Sequence, residues 1–253
     1  VPPSGPANPV ASPGGVTPFA GTRTRHVVEL QLGPGLLAGH VLEQLERPER
    51  VLALTSLSED GPGLALGTRQ GVVKRVTPDA PKGSTWDVIA LKDGDEVVGA
   101  AQPSSSTAEL AFVTSSAMLL HFPASTVRPQ GRAGGGMAGV KLAAGAKVVW
   151  FGAVEATDAV LVTVADSSGA LPGTGAGSVK VTEFASYPGK GRATGGVRCQ
   201  RFLRGEDELI LAWVGVGPAR AVGPGGQSVG LPEVDERRDG SGSPLAAPVA
   251  GIG

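Results

Sequence analysis

Residues Gln130 to Leu142 read QGRAGGGMAGVKL, and 60 residues further on Lys190 to Phe202 read KGRATGGVRCQRF. Each copy opens on Gly-Arg-Ala and runs into a glycine-rich turn: Gly131, Arg132, Ala133, Gly135 and Gly136 in the first, Gly191, Arg192, Ala193, Gly195 and Gly196 in the second. Glycine lets backbone approach a partner closely, and arginine supplies a flat, permanently charged fork that suits phosphate. Further cations recur in the same repeated segments: Lys74, Arg75, Arg128, Lys141, Lys147, Lys180, Lys190, Arg198, Arg201 and Arg204. If the segments close into a bladed ring, equivalent cations share one rim, a surface on which a nucleic-acid backbone can lie and bend. Such contacts neutralise phosphates without reading bases, and no recognition helix is apparent. Arg132 and Arg192 are expected on exposed turns.

Few residues suit covalent or acid–base chemistry. His26, His40 and His121 are scattered, with no HExxH or HxxxH spacing for a metal. Serines fall in turns such as Ser104-Ser105-Ser106, without a nucleophile elbow. Gly33-Pro34-Gly35 and Gly173-Thr174-Gly175 lack the following helix that a phosphate loop requires. Asp93 with Asp95, and Glu206-Asp207-Glu208, read as solvated turn charges. The single cysteine, Cys199, excludes an internal disulfide and reads as a small strand residue. Tyr187, the only tyrosine, precedes Pro188-Gly189-Lys190 with no neighbouring base, which favours a packing role. No catalytic residue, metal site or bound cofactor is expected in this chain.

The elements that must position the cations are strands. Glycine and proline, 40 and 21 of 253 residues, make up about a quarter of the chain and disfavour a helical protein. Alternation of period two dominates, as in Gly71–Val76 and Ser178–Thr182; only Leu36 to Leu45 carries a competing helical pattern. Three segments, Leu64–Ala100, Leu110–Ala153 and Val160–Trp213, share one order: strand, turn, strand, Gly- or Pro-rich excursion, and a third strand. Their turn glycines Gly94, Gly145 and Gly205 each follow Leu91, Leu142 or Phe202 by three residues. With partial copies at 24–57 and after 213, this predicts an all-β, propeller-like protein of four to six blades. Residues 1–22 read as a Pro/Gly-rich tether, 23–245 as the folded domain and 246–253 as a tail, so ordered structure is expected to begin near His26. The opening at Val1 suggests a piece cut from a longer polypeptide within a linker. No run approaches the roughly 18 apolar residues of a membrane span, and no signal peptide is visible.

The whole chain is near neutral, with 22 basic and 23 acidic residues. Residues 120–204 hold ten Lys or Arg against four Asp or Glu, and 205–253 hold three against seven. The acidic end, with Glu233, Asp235, Glu236 and Asp239, is expected to compete with a polyanion for the basic rim.

Three segments carry a resemblance: GTRQGVVKRV (67–76), VRPQGRAGGGMAGVKL (127–142) and YPGKGRATGGVRCQRF (187–202). With the blade order, they make residues 24–245 resemble the C-terminal domain of the A subunit of bacterial type IIA topoisomerases, DNA gyrase or topoisomerase IV. The Ala-, Gly-, Arg- and Pro-rich usage is similar to that of the actinobacterial members. The resemblance implies a β-pinwheel whose perimeter binds and bends duplex DNA. It places the cleaving tyrosine and strand-passage core in a preceding part of the polypeptide, and the ATPase, with its ATP and magnesium, on the separate topoisomerase B subunit. It also implies a bacterial, cytoplasmic, nucleoid-associated protein. Gyrase-type domains carry a box of the form QRRGGKG in the first blade. The nearest match here, Gln130 to Gly136, keeps the glutamine, an arginine and the glycines, lacks the later basic residue and lies in a middle blade. That difference leans toward a topoisomerase IV-like role. A propeller-like scaffold binding proteins through its loops is the alternative, and an enzyme in its own right the third.

Overall fold

The computed structural model describes residues 16–20, 26–31, 52–53, 63–78, 85–105, 107–155, 157–169 and 177–253. The helical pattern at 36–45, His40 and the glycine patterns at 33–35 and 173–175 lie outside these residues, as does most of the expected tether.

Five repeats follow one another. The first contributes the hairpin β1 (Val16–Ala20) and β2 (His26–Gln31). The second holds β3 (Leu64–Thr68), β4 (Val72–Val76), β5 (Thr85–Asp87) and β6 (Val97–Ala101). The third holds β7 (Glu109–Thr114), β8 (Met118–Pro123), β9 (Pro129–Gln130), β10 (Met137–Ala138) and β11 (Val148–Val154). The fourth holds β12 (Ala159–Asp166), β13 (Ser178–Glu183), β14 (Val197–Arg198) and β15 (Glu208–Val216), and the fifth β16 (Ala221–Val222), β17 (Ser228–Val229), β18 (Ser243–Pro244) and β19 (Gly251–Ile252). Each complete repeat is a hairpin, an excursion to a short strand, and a returning strand.

Repeats and sheets do not coincide. The short strand of each repeat crosses to the preceding hairpin, so that β5 pairs with β2, β10 with β4, β14 with β8 and β18 with β13, all antiparallel. The sheets are therefore ordered β1-β2-β5, β6-β3-β4-β10, β11-β7-β8-β14, β15-β12-β13-β18 and β19-β16-β17. The all-β, bladed expectation is met with five sheets among the described residues.

Apolar clusters fill the spaces between neighbouring sheets. Ala65 and Val73 meet Leu110, Phe112, Leu120, Phe122 and Phe151 on one side of the β7–β8 hairpin. Ala111, Val113 and Leu119 on its other side meet Leu161, Leu209 and Val214. Both faces of this sheet are thus buried, which explains why ELAFVT and MLLHF read as continuous apolar runs. Gly67 is required at the first of these contacts, because a Cβ there would sit 2.2 Å from the Phe151 ring.

Two boundaries differ from the sequence expectation. Val16–Ala20, inside the expected tether, pairs with His26–Gln31, so strand structure begins before His26. Gly251–Ile252, inside the expected tail, pairs with Ala221–Val222, and Val249 and Ile252 pack against the last core cluster. The acidic end is also built into the sheets. Asp235 donates its backbone N–H to Val181, β18 pairs with β13, and Leu245 is buried. Backbone pairing, not apolar length, decides the fate of such short Pro- and Gly-rich strands.

Candidate nucleic-acid interface

The returning strands mark the middle of the fold, since β11 lies against β6 on one side and β15 on the other. The crossing strands β10, β14 and β18 form the opposite edges of their sheets, so the loops that lead into them lie on the perimeter. Each crossing loop lies beside the chain that leaves the crossing before it. Ala90 donates its N–H to Gly134 (3.4 Å), Lys141 to Thr194 (2.9 Å) and Arg201 to Gly240 (3.0 Å). The same bond recurs at the same place in three successive repeats.

This recurrence identifies a third copy of the glycine–arginine turn. Arg132 and Gly136, and Arg192 and Gly196, correspond to Arg238 and Gly242, and all three runs lead directly into a crossing strand. Sequence reasoning misses it as a turn, although the spacing Arg-x-x-x-Gly is common to all three. The final glycine is demanded by geometry. Gly196 has a φ of +76°, and a Cβ on it would lie 2.3 Å from the Leu119 carbonyl of the strand it crosses. In the second crossing Gln130 closes the turn, accepting the Gly136 N–H at 3.0 Å on its side-chain oxygen.

Two of the expected surface cations are internal. Lys74 has no exposed surface and Lys180 has 2%, and the two occupy the same register position in β4 and β13. Lys74 Nζ donates to the carbonyls of Val88 (2.7 Å), Arg132 (2.7 Å) and Gly134 (2.6 Å). Lys180 Nζ donates to Thr182 Oγ1 (2.7 Å), Cys199 O (3.3 Å) and Arg238 O (2.8 Å). Each ammonium therefore fastens a crossing loop from beneath, and neither reaches a ligand outside the protein. Lys74 and Lys180 are accordingly removed from the expected contact set. Leu120 stands at the equivalent place in β8, where the loop is held differently: Ala193 donates its N–H to Gly139 O at 2.6 Å.

Among the other expected residues, Arg75, Gln130, Arg132 and Arg192 are half-buried, not fully exposed. Arg75 Nη1 faces the carbonyls of Ala124 and Val127, each at 3.4 Å. Arg192 Nη1 donates to Ala138 O and so ties the third crossing to the second. Arg128, Lys141, Lys190, Arg198, Arg201 and Arg204 are exposed. The perimeter thus keeps two adjacent cationic crossings, with Arg128, Arg132 and Lys141 on the second and Lys190, Arg192, Arg198 and Arg201 on the third.

The remaining reactive groups are held in packing roles. Tyr187 is 3% exposed, donates its hydroxyl to Arg238 O (3.0 Å) and Cys199 O (3.3 Å), and has its ionisation pushed up by burial. Cys199 is wholly buried, and burial pushes its thiol up to about 12. His121 sits against Glu109 and the Tyr187 carbonyl. Asp207 accepts from both the N–H and the hydroxyl of Ser168, which hold its carboxyl below the usual range. No group of three or more metal-ligating side chains is found among the described residues. No helix among them is long and apolar enough to cross a membrane.

The Lys74 pin makes stability depend on pH. Burial lowers the Lys74 ammonium from 10.5 to about 8. Near neutrality the group is protonated in both states. Between about 8 and 10.5 the unfolded chain holds the extra proton, so stability rises with pH across that window. Chemical denaturation at about pH 7.5 and about pH 10 should show the native protein gaining on a Lys74→Met variant at the higher pH. A constant difference between the two would place the Lys74 ionisation at its ordinary value.

Residues 88–104, 108–155 and 173–212 match the family described as DNA gyrase C-terminal domain, beta-propeller. The chain is 35% identical over 106 residues to the gyrase A protein of Chlamydia trachomatis, covering 40% of this chain and 13% of that protein. It is 40% identical over 105 residues to the topoisomerase protein TopoM of Mycolicibacterium smegmatis, covering 41% and 13% respectively. The chain therefore matches only about an eighth of these relatives' length. Among solved structures, the C-terminal domain of a DNA topoisomerase IV superposes with a TM-score of 0.76 at 19% identity, over 95% of this chain and 78% of that one.

Proposed function

We propose that the chain is a C-terminal β-pinwheel of the DNA gyrase A family, and that it binds and bends duplex DNA as part of a type IIA topoisomerase. The observation that carries this reading is the pair of adjacent cationic crossings on the perimeter, where arginine and lysine side chains stand on backbone fixed by repeated hydrogen bonds. Rigid placement lowers the ordering cost of each phosphate contact, and several contacts together offset the few kcal/mol needed to bend a short duplex. The DNA so held would be presented to a strand-passage core in the same polypeptide, working with the topoisomerase B subunit, which supplies ATP hydrolysis with magnesium. Tyr187 is buried and hydrogen-bonded, so the chain itself would cleave no DNA. The turn Gln130–Gly136 lacks the later basic residue of a wrapping box, which favours decatenation and relaxation over supercoiling.

Salt titration tests the reading. About six phosphate contacts imply that affinity for linear duplex falls roughly a thousandfold between about 50 and 200 mM salt, with little preference among sequences. A binding partner whose affinity barely responds to salt, captured through apolar loops, would support a protein-binding scaffold instead.

A further inference from the structure

Equivalent perimeter positions carry very different charges from one crossing to the next. Three residues into the run after each crossing stand Ala90, Lys141, Arg201 and Ala247; at the crossing strand itself stand Asp87, Ala138, Arg198 and Pro244. Ahead of the glycine turns, Gln130 and Lys190 correspond to Glu236, and Ala133 and Ala193 to Asp239. Residues 124–141 hold three cations and 184–201 hold four, with no acidic residue in either run. Residues 85–90 hold one acidic residue and no cation, and 233–247 hold four acidic residues and two arginines. One of those arginines is already engaged. Arg237 is held by Asp235 through bonds of 3.1 and 3.2 Å, and the pair keeps the Asp235 carboxyl below its usual range.

We infer that DNA contact is confined to an arc of two crossings, and that the first and fourth crossings act as electrostatic stops. This rests on the reading of the perimeter as a DNA surface. Charges interact strongly only within a screening length of about 8 Å at physiological salt, so a duplex leaving the third crossing meets Glu236 and Asp239 at close range and turns away. The domain then deflects DNA locally and does not wrap it around the whole circumference.

Footprinting and length dependence test this with the full chain. Affinity should rise between duplexes of about 20 and 40 bp and then level off, with one protected stretch that stays the same length on a duplex of about 80 bp. A Glu236→Lys, Asp239→Ala variant gives the fourth crossing the residues of the third at these two positions. It should extend protection at one end only and bind the longest duplex about tenfold more tightly, while the shortest is bound as before. Protection of the native protein that continues along the long duplex, or an unaltered footprint in the variant, overturns the arc. Absence of binding at every length overturns the DNA-binding reading itself, a result separable from the other two.

Discussion

Replacing Lys74 by Leu should destabilise the domain by about 3 kcal/mol, because each buried carbonyl left without a donor costs about 1 to 3 kcal/mol and two are orphaned. The two are Val88 O and Arg132 O; Gly134 O keeps the Ala90 N–H at 3.4 Å. Apolar replacement of a buried charge is often tolerated when its partners are replaced too, but here the partners are backbone and remain. Leu120 shows what a tolerated leucine needs at this position: the carbonyl of Gly139, equivalent to that of Val88, receives the Ala193 N–H instead. Urea denaturation measures the loss, and hydrogen exchange should report faster opening at residues 131–136, the loop that Lys74 fastens. A Lys74→Leu variant that unfolds at the native denaturant concentration would mean that the loop is held by its turn geometry alone.

Changing Lys141, Lys190, Arg198 and Arg201 together to Ala should lower the salt dependence of DNA binding by about three to four units, at roughly 0.9 per lost phosphate contact. At low salt the affinity should fall by several orders of magnitude, approaching background. Stability should hold, since these side chains are exposed and the structural bonds of Lys141 and Arg201 are made by their backbone N–H groups. This set separates recognition from architecture more cleanly than Arg132 and Arg192, because Arg192 also bridges two crossings through Ala138 O. Gel-shift titration at two salt concentrations, with circular dichroism as the folding control, decides it. An unaltered slope would move the DNA path off the second and third crossings.

The sequence alone determined the local chemistry. Glycine and proline content with period-two alternation established strands and tight turns, the doubled Gly-Arg-Ala run established a repeat, and the surroundings of Cys199 and Tyr187 pointed to packing, where both residues are found. These are properties of neighbours along the chain. What only the tertiary structure decided was the crossing of each short strand to the preceding hairpin, and with it the fate of individual cations. In VVKRV nothing marks Lys74 as internal, because alternation assigns faces and both faces of a strand between two packed sheets are buried. Two of its three carbonyl partners lie 58 and 60 residues away, in a loop brought beneath it by the pairing of Pro129, Gln130, Met137 and Ala138 with β4. The acidic end is a second case of the same limit. Its charge is legible, but its place in a sheet rests on backbone bonds from Asp235, Ser243 and Pro244 to strands about 55 to 65 residues earlier, which side-chain pattern does not encode.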